Sequence, residues 1–307
     1  MQARTARIGT RGSPLAIAQA REVRDRLMAA HGLPESAFEL VIIRTTGDRI
    51  QDRPLAEAGG KGLFTKELEE ALLRGEIDLA VHSMKDMPTE LPQGLAIAAI
   101  LPREDVRDAF ISLRWPSLSA LPRGARIGTS SLRRGAQVRY LRPDLQVIEF
   151  RGNVQTRLAK LERGVADATF LACAGLKRLG QEDRITQRIE TDAMLPAVAQ
   201  AAIGAEVRAD DAETARLLAP LDDRLSALAV ETERAFLGRL EGSCRTPIAA
   251  LARIDGDEIA FNGEILPPDG SVSLKTTRRG AIADRLALAI DAADELKARG
   301  GPDFFNF

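Results

Sequence analysis

Two stretches of this chain open with the same four residues, Arg7-Ile8-Gly9-Thr10 and Arg126-Ile127-Gly128-Thr129. Each reads as a short strand end, a tight Gly-Thr turn and then a helix. In the first, Ser13 suits the N-cap and Pro14 the first helical position, after which Ala16, Ala20, Val23 and Leu27 recur on one face. In the second, Ser130 or Ser131 caps a helix that must stop before Pro143. A second pair follows in the same order: Arg74-Gly75 with Asp78, and Arg163-Gly164 with Asp167. There a helix ends at the glycine and an apolar strand follows, over 79–81 or 168–172. The helices before these glycines also correspond, with Phe64, Leu68, Ala71 and Leu72 against Leu158 and Leu161.

A four-residue match alone is what chance supplies, but two matches in one order indicate two related α/β lobes. Strands alternating with helices predict mainly parallel sheets covered by helices on both faces. Strand-like Leu95 to Ile100, running into Leu101-Pro102-Arg103, is the expected first crossing between lobes. Met194-Leu195-Pro196 is the expected return, after which a helix from Ala197 packs back on the first lobe. Past Pro220 the pattern changes. A helix over 222–240 carries Leu225, Leu228, Ala229, Phe236 and Leu240 on one side. Strands over 249–254, 258–266 and 271–278 follow, with turns at Asp255-Gly256 and Pro268-Asp269-Gly270. A last helix sets Ile282, Leu286, Ala289, Ile290 and Ala293 on one face. The expected organisation is lobe 1 over 1–101 and 197–220, lobe 2 over 102–196, and a small antiparallel α+β domain over 221–307.

Length agrees, since 307 residues exceed what one core usually serves. A net charge of -1 with 4% aromatic residues counts against a nucleic-acid partner. No apolar run reaches the roughly 18 residues of a membrane span, and no apolar stretch follows Arg4 and Arg7 as a secretory signal would require. Two cysteines make no disulfide framework and suit a reducing cytoplasm, and two histidines leave little for a His-based metal site.

Both repeated turns present a helix N-terminus with hydroxyls, a ready anion site. Arg11, Arg133, Arg134, Arg151 and Arg157 crowd the same loops, with Lys61 and Lys85 near other element ends. Arginine grips a carboxylate through a rigid fork, so this grouping suggests a ligand with several carboxylates. With 43 Lys+Arg in the chain, most are solvated surface charge, and ligand contact is expected only beside the repeated turns. Asp86 follows the strand 79–82 at its C-terminal end, where open α/β sheets place ligands; a surface turn aspartate before Met87-Pro88 is the plainer reading. His82, inside that strand, reads as structural. Gly59-Gly60-Lys61-Gly62 lacks the hydroxyl residue and spacing of a nucleotide phosphate loop. Cys173 lies in an apolar strand-like run and reads as packing. Cys244, in Glu241-Gly242-Ser243-Cys244-Arg245, follows a helix on a loop whose arginine favours thiolate.

Taken together, V-H-S-M-K-D-M-P (81–88), G-T-S-S-L-R-R (128–134), R-G-N-V-Q-T-R (151–157) and A-G-L-K-R-L-G (174–180) resemble the porphobilinogen deaminase family. So do T-R-G-S-P-L-A (10–16), G-G-K-G-L-F (59–64) and E-G-S-C (241–244), all in family order over nearly the whole chain. The resemblance implies two lobes like those of type II periplasmic binding proteins plus a small C-terminal domain. It implies a transferase of tetrapyrrole and heme biosynthesis that condenses four porphobilinogens head to tail, releasing ammonia and then hydroxymethylbilane by hydrolysis. It also implies a dipyrromethane cofactor on a thioether at Cys244, with Asp86 as the catalytic carboxylate. Arg11, Arg133, Arg134, Arg151, Arg157 and Arg178 match the family's carboxylate-binding arginines, and Ser13, Lys61, Lys85 and Ser131 its supporting contacts. A cytoplasmic monomer without metal, nucleic acid or membrane is expected.

Two departures stand out. The usual L-P-A-V-G-Q-G-A reads Leu195-Pro196-Ala197-Val198-Ala199-Gln200-Ala201-Ala202, with alanine for both glycines, and Ser243 stands where glycine is frequent. If those glycines serve positive φ or close approach, Ala199 and Ala201 alter the hinge or the cofactor fit. A solute receptor closing two lobes on a carboxylate ligand is the competing class, but the Cys244-bearing domain counts against it. An effector-sensing transcription factor would need a DNA-binding domain, and none is recognisable.

Overall fold

Each repeated Arg-Ile-Gly-Thr segment lays down a strand that enters a capped helix. Ser13 Oγ accepts from the Ala16 N–H (3.2 Å) at the head of the helix Pro14–His31, and Ser131 Oγ accepts from the Arg134 N–H (3.4 Å) at the head of Leu132–Leu141. Such a cap contributes about 1 kcal/mol. The repeated glycines answer a steric demand. A Cβ on Gly9 would stand 2.3 Å from Ile77 Cδ1, and one on Gly128 2.4 Å from Phe150 Cγ.

The computed structural model describes residues 5–49, 64–242, 246–301 and 304. Among them, β1 (Ala6–Arg11), β2 (Phe38–Ile43), β3 (Leu79–Ser83), β4 (Leu95–Ile100) and β10 (Ile203–Arg208) form one five-stranded sheet, in the order β2-β1-β3-β10-β4. A second runs β7-β6-β8-β5-β9, from β5 (Asp108–Ile111), β6 (Arg126–Gly128), β7 (Gln146–Ile148), β8 (Ala168–Ala172) and β9 (Gln187–Ile189). A three-stranded antiparallel sheet joins β11 (Ile248–Asp255), β12 (Glu258–Ile265) and β13 (Leu274–Ala281). The chain divides into two units, Met1–Glu104 with Ala201–Leu228, and Asp105–Gln200 with Ala229–Phe307.

The duplication extends to side chains. In the first unit the Arg7 N–H donates to Asp78 Oδ2 (2.8 Å) and Arg7 Nη2 to Gly75 O (2.7 Å). In the second the Arg126 N–H donates to Asp167 Oδ2 (2.7 Å) and Arg126 Nη2 to Gly164 O (2.9 Å). Both glycines lie at positive φ, 68° and 71°, closing a helix that a residue with a Cβ would close at a cost. The repeated Arg, Gly and Asp are therefore one clamp, joining the start of the first strand to the turn before the third.

Several expectations change. The sheets are mixed, not mainly parallel: β1 pairs β2 and β3 in parallel, but β10 runs antiparallel to β3 and β4, and β5 antiparallel to β8 and β9. The helix predicted from Ala197 is a turn, because Ala199 (φ 56°) and Ala201 (φ 75°) sit in the left-handed region, and the chain goes straight into β10. Cys173 opens the short helix Cys173–Arg178 instead of lying within a strand. In the helix Arg224–Arg239 Leu225 is exposed, while Ala229 and Phe236 are buried. The last helix, Arg285–Gly300, buries Ala289, Ala292, Ala293 and Leu296 and leaves Leu286 and Ile290 exposed. Its inner stripe is mostly alanine because it lies closely on β12 and β13. Phe236 meets Phe261 of β12 at 5.1 Å between ring centroids.

Candidate active site

In the first unit the expected site residues come from neighbouring parallel strands. Arg11 ends β1 and Asp86 ends the single 3-10 turn Met84–Asp86 that follows β3, so both stand at the C-terminal edge of the sheet. They line one small recess with Gln19, Phe64, His82 and Ser83. The Arg11 guanidinium lies over the Phe64 ring, 4.1 Å from its centroid, which holds the charge at the rim. Gln19 Nε2 donates to Ser83 Oγ (2.8 Å) and fixes the recess wall. Ser13 is engaged as the helix cap, and Lys85 is half-buried beside Asp86.

In the second unit the expected arginines collect at the same edge of β6, β7 and β8. Ser131 caps the helix after β6. Arg151 follows β7, with its carbonyl accepting from Lys160 Nζ (2.9 Å). Arg157 Nε donates to Gly152 O (2.9 Å), and Arg178 closes the helix after β8.

Arg133 and Arg134 are different. Both are buried, and both grip Asp108 at the head of β5: Arg133 Nη1 donates to Oδ2 (2.6 Å), and Arg134 Nη2 to Oδ1 (2.7 Å). Arg133 Nη1 also donates to Leu195 O (3.0 Å) and Arg134 Nη1 to Phe170 O (3.1 Å). Burial alone would raise the Asp108 carboxyl, but the two guanidiniums hold it well below the usual carboxylate range. The carboxylate these arginines hold here is one of the protein's own. Gln200 Nε2 donates to the same Oδ1 (3.0 Å). The turn beside it is pinned by buried Glu233, which accepts from the Ala199 N–H (2.7 Å) and the Ala252 N–H (2.9 Å).

Neither Asp108 nor Gln200 is among the site residues that the sequence points to. The available signal was an aspartate opening a wholly apolar run, Asp108-Ala109-Phe110-Ile111, where an ionised group without a nearby cation is too costly. Lys61 and Cys244 lie outside the described residues. Among the described residues no His/Cys/Asp/Glu group fit to hold a metal ion occurs, and no helix is long and apolar enough to cross a membrane.

The model of the porphobilinogen deaminase dipyromethane cofactor binding domain matches residues 6–216, and that of the porphobilinogen deaminase C-terminal domain matches 227–298. The chain belongs to the porphobilinogen deaminase family. Porphobilinogen deaminase of Paracoccus denitrificans is 62% identical over 98% of this chain and 96% of its own length. That of Nitrobacter hamburgensis is 58% identical over 98% and 95%. Among solved structures, the methionine binding protein MetQ aligns at 12% identity over 74% of this chain and 91% of its own, with a TM-score of 0.45. A putative methionine-binding lipoprotein of Bacillus subtilis aligns at 14%, over 72% and 90%, with a TM-score of 0.44. Likenesses that loose carry nothing about the chemistry of this chain. Of the site residues, Arg11 to Arg178 fall in the first family domain and Cys244 in the C-terminal one.

Proposed function

We propose that the chain joins four porphobilinogens head to tail on a dipyrromethane carried by Cys244 through a thioether. One ammonia leaves per ring added, and hydrolysis then frees hydroxymethylbilane. The observation that carries this reading is the meeting of Asp86 and Arg11 in one recess at the C-terminal ends of adjacent parallel strands. Loss of ammonia from porphobilinogen leaves a cationic azafulvenium, and a fixed carboxylate facing it stabilises the developing charge. Asp86 takes that role and can also move protons.

The donor set suits a ligand whose every ring bears an acetate and a propionate. Arg11, Arg151, Arg157 and Arg178 supply forked donors, while Ser13, Lys61, Lys85 and Ser131 support them. Arg133 and Arg134 would act through the net positive charge left where two guanidiniums share one carboxylate. Once bound, the dipyrromethane supplies the terminal pyrrole carbon to which the next ring is joined. A monomer in the cytoplasm completes the proposal, and sedimentation tests the first part of it.

Cys173 is a poor rival for the attachment. It is buried, and burial, with Asp105 and Asp108 adding, pushes its thiol up to about 12, so thiolate is scarce at neutral pH. Intact mass should exceed the chain mass by one dipyrromethane, mapped to Cys244. Cys244→Ser should lose both the added mass and porphobilinogen turnover, while Cys173→Ala keeps both. Added mass persisting in Cys244→Ser rejects the attachment, and a wild-type chain that does not consume porphobilinogen rejects the whole reading.

A further inference from the structure

Behind the Asp86 recess lies a set of ionisable side chains that the proposed chemistry leaves without a task. Residues of β3 alternate between faces: Leu79 and Val81 join the core that includes Ala20 and Val23, while Ala80 packs with Leu68, Ala71 and Leu72 of the helix Lys66–Leu73. His82 follows on the second face, and its Nε2 lies 3.0 Å from Oε2 of Glu206, which comes from β10. Glu69 of the helix Lys66–Leu73 completes the group. Burial pushes the Glu69 carboxyl above its ordinary value, with the Thr65 hydroxyl opposing and the Glu206 carboxylate adding. Exposures are 5% for His82, 0% for Glu206, 7% for Glu69 and 1% for Thr65. Among the described residues, Glu69 Oε1 and Glu206 Oε1 are buried with no hydrogen-bond partner. Thr65 and His82 both line the recess.

Two orphaned carboxylate oxygens in one place are a poor way to build a core, since apolar side chains of that size would pack there at less cost. We infer that His82, Glu206 and Glu69 form a proton-holding group that serves the Asp86 recess, which takes the deaminase reading as its premise. Each condensation breaks the C–N bond of a CH2–NH3+ group, and ammonia leaves with the bonding pair. The methylene then bonds to a pyrrole α-carbon, which sheds its proton to restore aromaticity. One proton per ring must therefore leave the reacting atoms. With Nε2 on Glu206, Nδ1 is the ring nitrogen left to accept it, and the Glu206 carboxylate offsets the imidazolium charge. The charged groups around His82 are Glu206 on β10, Glu69 on the helix above, and Asp86 and Arg11 across the recess.

The test uses the full chain with its covalent cofactor verified by intact mass. His82→Gln and Glu206→Gln should each lower kcat by about 10- to 100-fold, at the low end of general acid–base effects, with KM nearly unchanged. Both should remove one limb of the kcat–pH profile, a change that looser packing does not produce. Histidine NMR is simple because His31 and His82 are the only two in the chain. The His82 ring should carry its proton on Nε2 in the wild type, hydrogen-bonded to Glu206, and lose that signature in Glu206→Gln, a readout that stands even where His82→Gln fails to fold. A His82 whose neutral ring carries its proton on Nδ1, or a loaded His82→Gln with wild-type kcat and pH profile, overturns the inference. If Asp86→Asn is impaired at the same time, the deaminase reading survives that loss.

Discussion

The two halves set the same serine-capped turn at the head of the same kind of helix, yet charge it differently. After Ser13 come Pro14, Leu15 and Ala16, and the cation is supplied by Arg11, from the strand, resting on Phe64 at the edge of a recess. After Ser131 come Leu132, Arg133 and Arg134, two cations in the first turn of a helix, where the dipole is unfavourable to them. They are buried there only because Asp108 reaches in from β5. One backbone frame thus supports an open site in one half and an internally paired one in the other. What separates them is the placement of the arginines and one acidic residue, Asp108, that meets them from another strand.

Removing that residue should have the largest effect. Asp108→Ala leaves two buried guanidiniums without their shared carboxylate and should cost about 3–5 kcal/mol in denaturant unfolding. A loss below about 1 kcal/mol would mean that the arginines relax into solvent and that the halves do not differ as described. Because Asp108 is held below its unfolded value, its contribution is complete above about pH 4 and declines as pH falls toward the folded pKa.

Asp86→Asn, on the open side, should do the reverse. Stability should stay within about 0.5 kcal/mol while porphobilinogen turnover drops by ~10²-fold. Near-normal turnover would remove the catalytic role given to Asp86.

The Arg–Gly–Asp clamps allow a finer comparison. Asp78 is 7% exposed at its side chain against 22% for Asp167, and it also lies 3.7 Å from Arg208 Nη2. Asp78→Asn should cost about 1.5–3 kcal/mol and Asp167→Asn under about 1 kcal/mol. Equal costs would show that the clamp works through its backbone hydrogen bonds alone.

The smallest effect belongs to the departures from the family pattern. Ala199 and Ala201 occupy left-handed backbone that disfavours a Cβ by about 1–2 kcal/mol, while glycine gives back roughly 0.5–1 in chain entropy. Ala199→Gly and Ala201→Gly should each stabilise by about 0.5 kcal/mol, with activity unchanged within two-fold. A many-fold gain in activity would show that the alanines impair this enzyme.

Much of the fold is legible in the order of residues alone. Caps, helix-ending glycines and the buried stripe Ala16, Ala20, Val23 and Leu27 are local, set by neighbours within a turn or two. The motifs that mark the family are local strings as well. Strand direction is not legible, because an apolar run such as β8 pairs β6 in parallel and β5 antiparallel with the same residues, so the mixed sheets emerge only from the fold. Nor is the inner face of the last helix, since Ala292 and Leu296 are selected over Leu286 and Ile290 by what lies beneath them.

By itself, then, the sequence determined the duplicated α/β plan, the third domain, the family and the positions that carry its motifs, all written in short-range spacing. Only the tertiary structure decided which charges meet. Asp108 stands 25 residues from Arg133, and Glu206 stands 124 from His82. The energy of a buried charge depends on what lies within a few ångströms, and chain separation carries no record of that distance.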